Sequence, residues 1–65
     1  MQNLLYISRI RRGMTQQALA DLAGVSRRTV CYLEEGAVPS LRVARRLCRA
    51  LQAVPEEVFS CELSL

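Results

Sequence analysis

Apolar residues recur along the chain at spacings of three and four. No segment alternates with a period of two, so the pattern predicts helices and no strands. Gly13, Gly24, Gly36, Pro39 and Pro55 punctuate it. A first helix is expected from about Asn3 to Arg12, with Leu4, Ile7 and Ile10 as its inward stripe, Arg9 and Arg12 off that stripe, and Gly13 following at positive φ. A second opens at the N-cap candidate Thr15 and runs to Ala23, with Leu19, Leu22 and Ala23 inward and Gly24 as its stop. Ser26 is the next cap candidate, for a helix to about Glu34 with Val30 and Leu33 inward, closed by Gly36. Ser40 caps a fourth helix to about Leu51. There Leu41, Ala44, Leu47, Cys48 and Leu51 share one face, and Arg42, Arg45, Arg46 and Arg49 lie mostly on the other. Pro55 suits the first position of a short fifth helix, with Glu56 and Glu57 near its positive end and Val58 and Phe59 completing the core. The expected architecture is all-α, a compact bundle of five helices.

Two of these helices stand in a special relation. Ala23-Gly24-Val25-Ser26 is too tight a connection for antiparallel packing, and a Gly-containing turn of this length sets two helices at roughly 90–120°. Ala20, small and four residues before Gly24, permits close approach, and Val25 can plug the crevice. This is helix-turn-helix geometry, in which the second helix projects and can enter a major groove about 12 Å wide. With Val30 and Leu33 inward, Arg27, Arg28, Cys31, Tyr32 and Glu35 point outward, Arg28 and Tyr32 one turn apart. Two arginines in a first turn oppose the helix dipole, a small penalty that a use for the charge explains. Arginine is the commonest reader of guanine, worth about 1–3 kcal/mol of discrimination per bidentate contact.

Charge strengthens this reading, and composition narrows the alternatives. The formal charge is +3, and every one of the 9 basic residues is arginine, the better group for bidentate contact with phosphate or guanine. Residues 1–33 hold five arginines against Asp21 alone. Sixty-five residues make room for one domain, which buries only about 60% of its unfolded surface. Cys31, Cys48 and Cys61 are widely spaced, and with no histidine a Cys/His zinc site is excluded. Three free thiols are expected, two of them apolar fillers, in a reducing compartment, with no metal and no cofactor. Leu4–Ile7 is too short for a signal-peptide core and runs straight into Arg9, Arg11 and Arg12. No apolar run approaches the roughly 20 residues of a membrane span, so a cytoplasmic protein without membrane contact is expected. No histidine, no lysine and one aspartate leave no nucleophile–base pair, so an enzyme is not expected and no catalytic residue is assigned. Tyr6, Tyr32 and Phe59 are too scattered for a single-strand stacking platform.

Arg9, the run Gly13-Met14-Thr15-Gln16-Gln17-Ala18-Leu19-Ala20, Gly24-Val25-Ser26, then Tyr32-Leu33-Glu34 and Gly36 together resemble the phage-repressor and Cro type (Xre-like) of helix-turn-helix family. The similarity runs from about Asn3 to Phe59. It implies a lambda-repressor-like five-helix fold and a DNA-binding transcriptional regulator. By that resemblance Arg27 and Arg28 meet base edges, with Tyr32 a turn later and Thr29 beside them. Gln16 holds a backbone phosphate and supports the recognition helix, and Ser26 and Arg42 touch the backbone. Arg9 and Glu34 match a structural ion pair between helices. Cys31 departs from the pattern, standing where a polar residue is more usual, and Gly36–Ser40 lacks the basic residues expected there.

The expected organisation is a helix-turn-helix domain over residues 1–60 and a tail, 61–65, which the resemblance does not cover and which is a candidate dimer contact. The expected partners are double-stranded DNA bearing a palindromic operator and a second copy of the chain, with no small-molecule ligand. Val54, Val58, Phe59, Leu63 and Leu65 are the candidate dimer residues, because exposed apolar groups need a partner. Repression is favoured over activation. The competing reading is a protein-interaction module on the same fold, such as the antitoxin of a toxin–antitoxin pair. Arg27 beside Arg28 argues against it, since a retired recognition helix has little reason to keep both.

Overall fold

A computed structural model describes residues 4–59. It contains five helices, α1 (Leu5–Arg11), α2 (Gln16–Ala23), α3 (Arg27–Glu34), α4 (Leu41–Leu51) and α5 (Pro55–Phe59), and no strand among the described residues. The expected tail, with Cys61, Leu63 and Leu65, lies outside them.

Local chemistry sets the boundaries. Thr15, Ser26 and Ser40 each have extended backbone and a hydroxyl that accepts the N–H of the residue three positions on, relieving one orphan donor per helix start. Gly13 follows α1 at φ +69°, and Gly24 ends α2 in the left-handed region at φ +74°, where a side chain is strained. All three caps and both glycine stops sit where the sequence places them.

α2 lies at the centre of the packing, against α3 on one flank and α4 on the other, while α5 rests on α4 and α1 reaches both α3 and α5. The core is Leu5, Leu19, Ala20, Ala23, Val30, Leu33, Ala44, Leu47, Cys48, Leu51, Val58 and Phe59. The N–H of Leu4 donates to the carbonyl of Val58 at 2.9 Å, joining the start of α1 to α5.

Three expected stripes are corrected. α1 begins at Leu5 and turns Leu5 and Arg9 inward, leaving Leu4, Ile7 and Ile10 exposed. At about 100° per residue Ile7 stands roughly 200° from Leu5, on the opposite side of the helix. The cause is Arg9, which is only 7% exposed and reaches Glu34 on α3. Leu22 is 61% exposed, because Leu19, Ala20 and Ala23 already occupy an arc of about 100° that excludes it. Leu41, in the first turn of α4, also stands out of the core, just beyond the edge of the arc that buries Ala44, Leu47, Cys48 and Leu51. Val58 and Phe59, named as dimer candidates, are fully buried: α5 has five residues and spends its large apolar pair on the core.

Candidate functional site

The site begins at the turn between α2 and α3. The N–H groups of Gly24 and Val25 both donate to the carbonyl of the buried Ala20, at 2.9 and 3.0 Å, which closes α2 and starts the turn. Val25 is half-buried against the core, in the plugging position expected of it. Ser26 then opens α3: its Oγ accepts the N–H of Thr29 at 3.1 Å and lies 2.9 Å from the Thr29 hydroxyl. The two hydroxyls thus serve the helix start first, and Thr29 is half-buried while Ser26 stays exposed.

Beyond the cap, Val30 and Leu33 anchor α3 and the opposite face is free. Arg27, Arg28, Tyr32 and Glu35 are exposed, as the outward face read from the sequence requires. Cys31 is half-buried and its thiol donates to Glu35 Oε2 at 3.6 Å, so it is partly withdrawn from that face. At eight residues α3 is about 12 Å long, enough to lie along a major groove.

The far end of α3 is fixed by one carboxylate. Glu34 accepts Arg9 Nε at 2.6 Å, Arg9 Nη2 at 3.2 Å and Gln16 Nε2 at 3.0 Å, so residues of α1 and α2 converge on the last residue of α3. Arg9 also donates from Nη1 to the carbonyl of Met14 at 2.8 Å and stacks over the Tyr6 ring at 5.3 Å. Hydrogen bonding to Glu34 holds the Arg9 guanidinium protonated above its ordinary range, against the opposing pull of burial. The ion pair implied by the resemblance is present, with side chains 8% exposed on each partner. Gln16, assigned to a phosphate, here donates to Glu34 and is half-buried at the first position of α2.

Arg42 is exposed in the first turn of α4. It lines a groove together with Arg45, Arg46, Arg49, Leu22, Ala23, Ala50 and Gln52. Arg46 donates to the carbonyl of Gly24 at 3.4 Å, bracing the turn from the α4 side. That contact spans 22 residues, and no local pattern announces it. The structure therefore brings Arg27, Arg28, Thr29 and Tyr32 onto α3 with Ser26 as its cap, and places Gln16 at the start of α2 and Arg42 in the first turn of α4.

Cys48 is buried and Cys31 half-buried, both as free thiols. Burial pushes the Cys48 thiol up to about 11, with help from Glu56 and Glu57. Among the described residues no group of three or more histidine, cysteine, aspartate or glutamate side chains is placed to hold a metal ion. No described helix is long and apolar enough to cross a membrane.

Residues 4–59 match a family model described as a helix-turn-helix domain. A protein of Bacillus subtilis named "Uncharacterized HTH-type transcriptional regulator YgzD" is 40% identical over 63 residues, 95% of this chain and 96% of that relative. An uncharacterized HTH-type transcriptional regulator of Archaeoglobus fulgidus is 44% identical over 52 residues, 78% of this chain and 74% of its own length. One from Methanocaldococcus jannaschii is 35% identical over 63 residues, 95% of this chain and 96% of its own. With the turn at Gly24, the cap at Ser26 and this coverage in hand, the chain belongs to the helix-turn-helix domain family, alongside relatives named as transcriptional regulators.

Proposed function

We propose that the chain is a sequence-specific double-stranded DNA-binding regulator of the phage-repressor and Cro type, working in the cytoplasm as a homodimer on a palindromic operator. One observation carries this reading. α3 presents Arg27, Arg28 and Tyr32 to solvent on one face, while Val30, Leu33 and the Glu34 junction fix the other. In this reading α3 lies in the major groove, Arg27 and Arg28 take base edges near its first turn, and Tyr32 and Thr29 complete the reading set. Gln16, Ser26 and Arg42 hold phosphates. The position of Gln16 supports its part, since its amide carries two donor hydrogens and the bond to Glu34 uses one.

The dimer follows from the size of the module. One short helix covers too few base pairs for tight specific binding, and two copies reading half-sites about 34–36 Å apart supply the rest. Repression is the favoured sign, because occupying an operator needs only the surface described above, whereas activation needs a further contact with the transcription machinery. The domain spans residues 1–60, with 61–65 as a tail.

The test is affinity for duplex DNA selected from a random pool, measured against salt. Neutralising three or four phosphates per subunit gives a log–log slope of about −3 per subunit. Arg28→Ala is expected to cost about 1–3 kcal/mol on the selected site and to relax preference at one base position. Gln16→Ala is expected to weaken all sequences alike. A flat salt response would remove DNA binding and leave the protein-interaction reading, with an antitoxin as its best form.

A further inference from the structure

We propose that the groove between α2 and α4 is a binding site for a small ligand that carries adjacent phosphate groups on an apolar body. The site stands on Arg45, Arg46 and Arg49 and does not depend on the DNA reading, with which it shares Arg42.

The groove holds about 740 Å³, within the roughly 300–1,000 Å³ of small-molecule sites. Its charged wall is α4, where Arg42, Arg45, Arg46 and Arg49 all line it and all are exposed. Arg42 lies three and four positions from Arg45 and Arg46, and Arg49 lies four and three positions from the same two. Each is therefore the helical neighbour of a like charge, which destabilises the helix. No carboxylate lines the groove. Asp21 on α2 stands outside the lining and accepts Gln17 Nε2 at 2.8 Å. Among the described residues the ion pair is Arg9–Glu34, and the guanidinium groups of Arg42, Arg45 and Arg49 have no protein partner. The chain thus leaves this repulsion uncompensated, and a bound anion relieves it.

The spacing of the charges selects the anion. From Arg42 to Arg49 the row runs about 10.5 Å, at about 1.5 Å per residue. A lone phosphate reaches part of that row, whereas adjacent phosphates engage several guanidinium groups through paired N–H donors. Arg46 is held in place by its bond to the Gly24 carbonyl at 3.4 Å. Gln52, also in the lining, accepts Arg12 Nη1 through Oε1 at 3.2 Å and keeps its amide N–H donors for a ligand oxygen. The α2 wall supplies the exposed Leu22, which with Ala23 and Ala50 forms an apolar patch for the body of the ligand. One leucine beside two alanines is too little for a protein partner, whose docking depends on large buried anchors. The sequence, which predicts no small ligand, hides the site because its two walls lie on helices separated by α3.

Calorimetric titration of the full chain in about 0.15 M salt tests the site, with inorganic tripolyphosphate and adenosine triphosphate as probes. Both are expected to bind one per chain, the nucleotide more tightly. Arg45→Gln with Arg49→Gln is expected to weaken both about tenfold or more. Its melting temperature without ligand is expected to stay level or rise, because repulsion is removed, so lost binding is not lost fold. Leu22→Ser is expected to weaken the nucleotide and spare tripolyphosphate. Arg27→Gln with Arg28→Gln, on α3, is expected to bind both probes as wild type does. Four results overturn the proposal: a wild type that binds neither probe, a nucleotide indifferent to Leu22→Ser, equal losses in the α3 and α4 variants, or an α4 variant that loses duplex affinity as steeply as probe affinity. The third result leaves only diffuse surface charge, and the fourth makes the groove a track for a DNA backbone. Failure of the DNA reading has another signature, a wild type that ignores duplex and still binds both probes.

Discussion

The guanidinium of Arg9 grips the carboxylate of Glu34 through two nitrogens, at 2.6 and 3.2 Å, across 25 residues of chain. Gln16 donates to the same carboxylate, so the angle of α3 relative to α1 and α2 is set by one acidic group. Truncating one member leaves the other charge buried without its partner. Glu34→Ala is therefore expected to cost about 3–5 kcal/mol, a large share of the roughly 5–15 kcal/mol that typical domains possess. Replacing both, as Arg9→Met with Glu34→Leu, is expected to cost far less, because a well-packed apolar pair carries no desolvation penalty. Urea denaturation of the two variants gives the comparison, and equal losses would show that the pair's charge is not what matters.

The corrected helix faces make a paired prediction. Leu19→Ala removes a fully buried side chain and is expected to cost about 2–5 kcal/mol, whereas Leu22→Ala, three residues on, should stay within about 0.5 kcal/mol. The same contrast is expected between Leu5→Ala and Ile10→Ala. Thermal melts decide both, and a large loss at Leu22 would mean that α2 is rotated from the orientation described.

Gly24 and Gly13 share a left-handed backbone but differ in surroundings. A Cβ at Gly24 would come within 3.2 Å of Arg46 Nη1, whereas one at Gly13 meets nothing within 4 Å. Each alanine substitution is expected to cost about 1–2 kcal/mol from the backbone alone. Arg46 is exposed and Nη1 is the far end of its side chain, so a shift of a few tenths of an ångström relieves the contact and the two alanine variants are expected to lose similar amounts. Denaturant midpoints of the two variants measure it.

Cys48 supplies a pH dependence. Its thiol is raised from 9.0 to about 11, chiefly by burial, so folding favours the neutral form. The stabilising contribution is complete below pH 9.0 and is lost as pH climbs from there through about 11. Cys48→Ala is expected to flatten stability across that window, though it lowers stability at neutral pH by opening a small cavity. Iodoacetamide followed by peptide mass analysis is expected to label the half-buried Cys31 well before Cys48 in the native protein.

What could be read in advance follows from how far each signal reaches. The caps at Thr15, Ser26 and Ser40 and the stops at Gly13 and Gly24 depend on atoms within four residues, so the helix boundaries were legible. The outward face of α3 was legible for a related reason: Val30 and Leu33 are its only large aliphatic residues, and they admit one orientation. α1 offered a rival stripe. Leu4, Ile7 and Ile10 make a tidier pattern than Leu5 with Arg9, and the inward arginine is explained only by Glu34, far along the chain. Leu22 and Leu41 lie just past the margins of their buried arcs, a difference that spacing alone does not resolve. Val58 and Phe59 were expected both to complete the core and to be candidates for meeting a second copy; only the first holds, because a helix of five residues has no apolar groups to spare from its own core. The contact of Arg46 with Gly24 joins two helices through a single carbonyl and leaves no trace in local sequence.

The backbone bond from Leu4 to Val58 has a bearing on how this fold can be transplanted. Because the first and last helices touch there, a host loop need open by only a few ångströms to accept the whole unit as a cassette. A short glycine-serine bridge joining the Leu4 side of α1 to the end of α5 is likewise expected to leave α3 undisturbed.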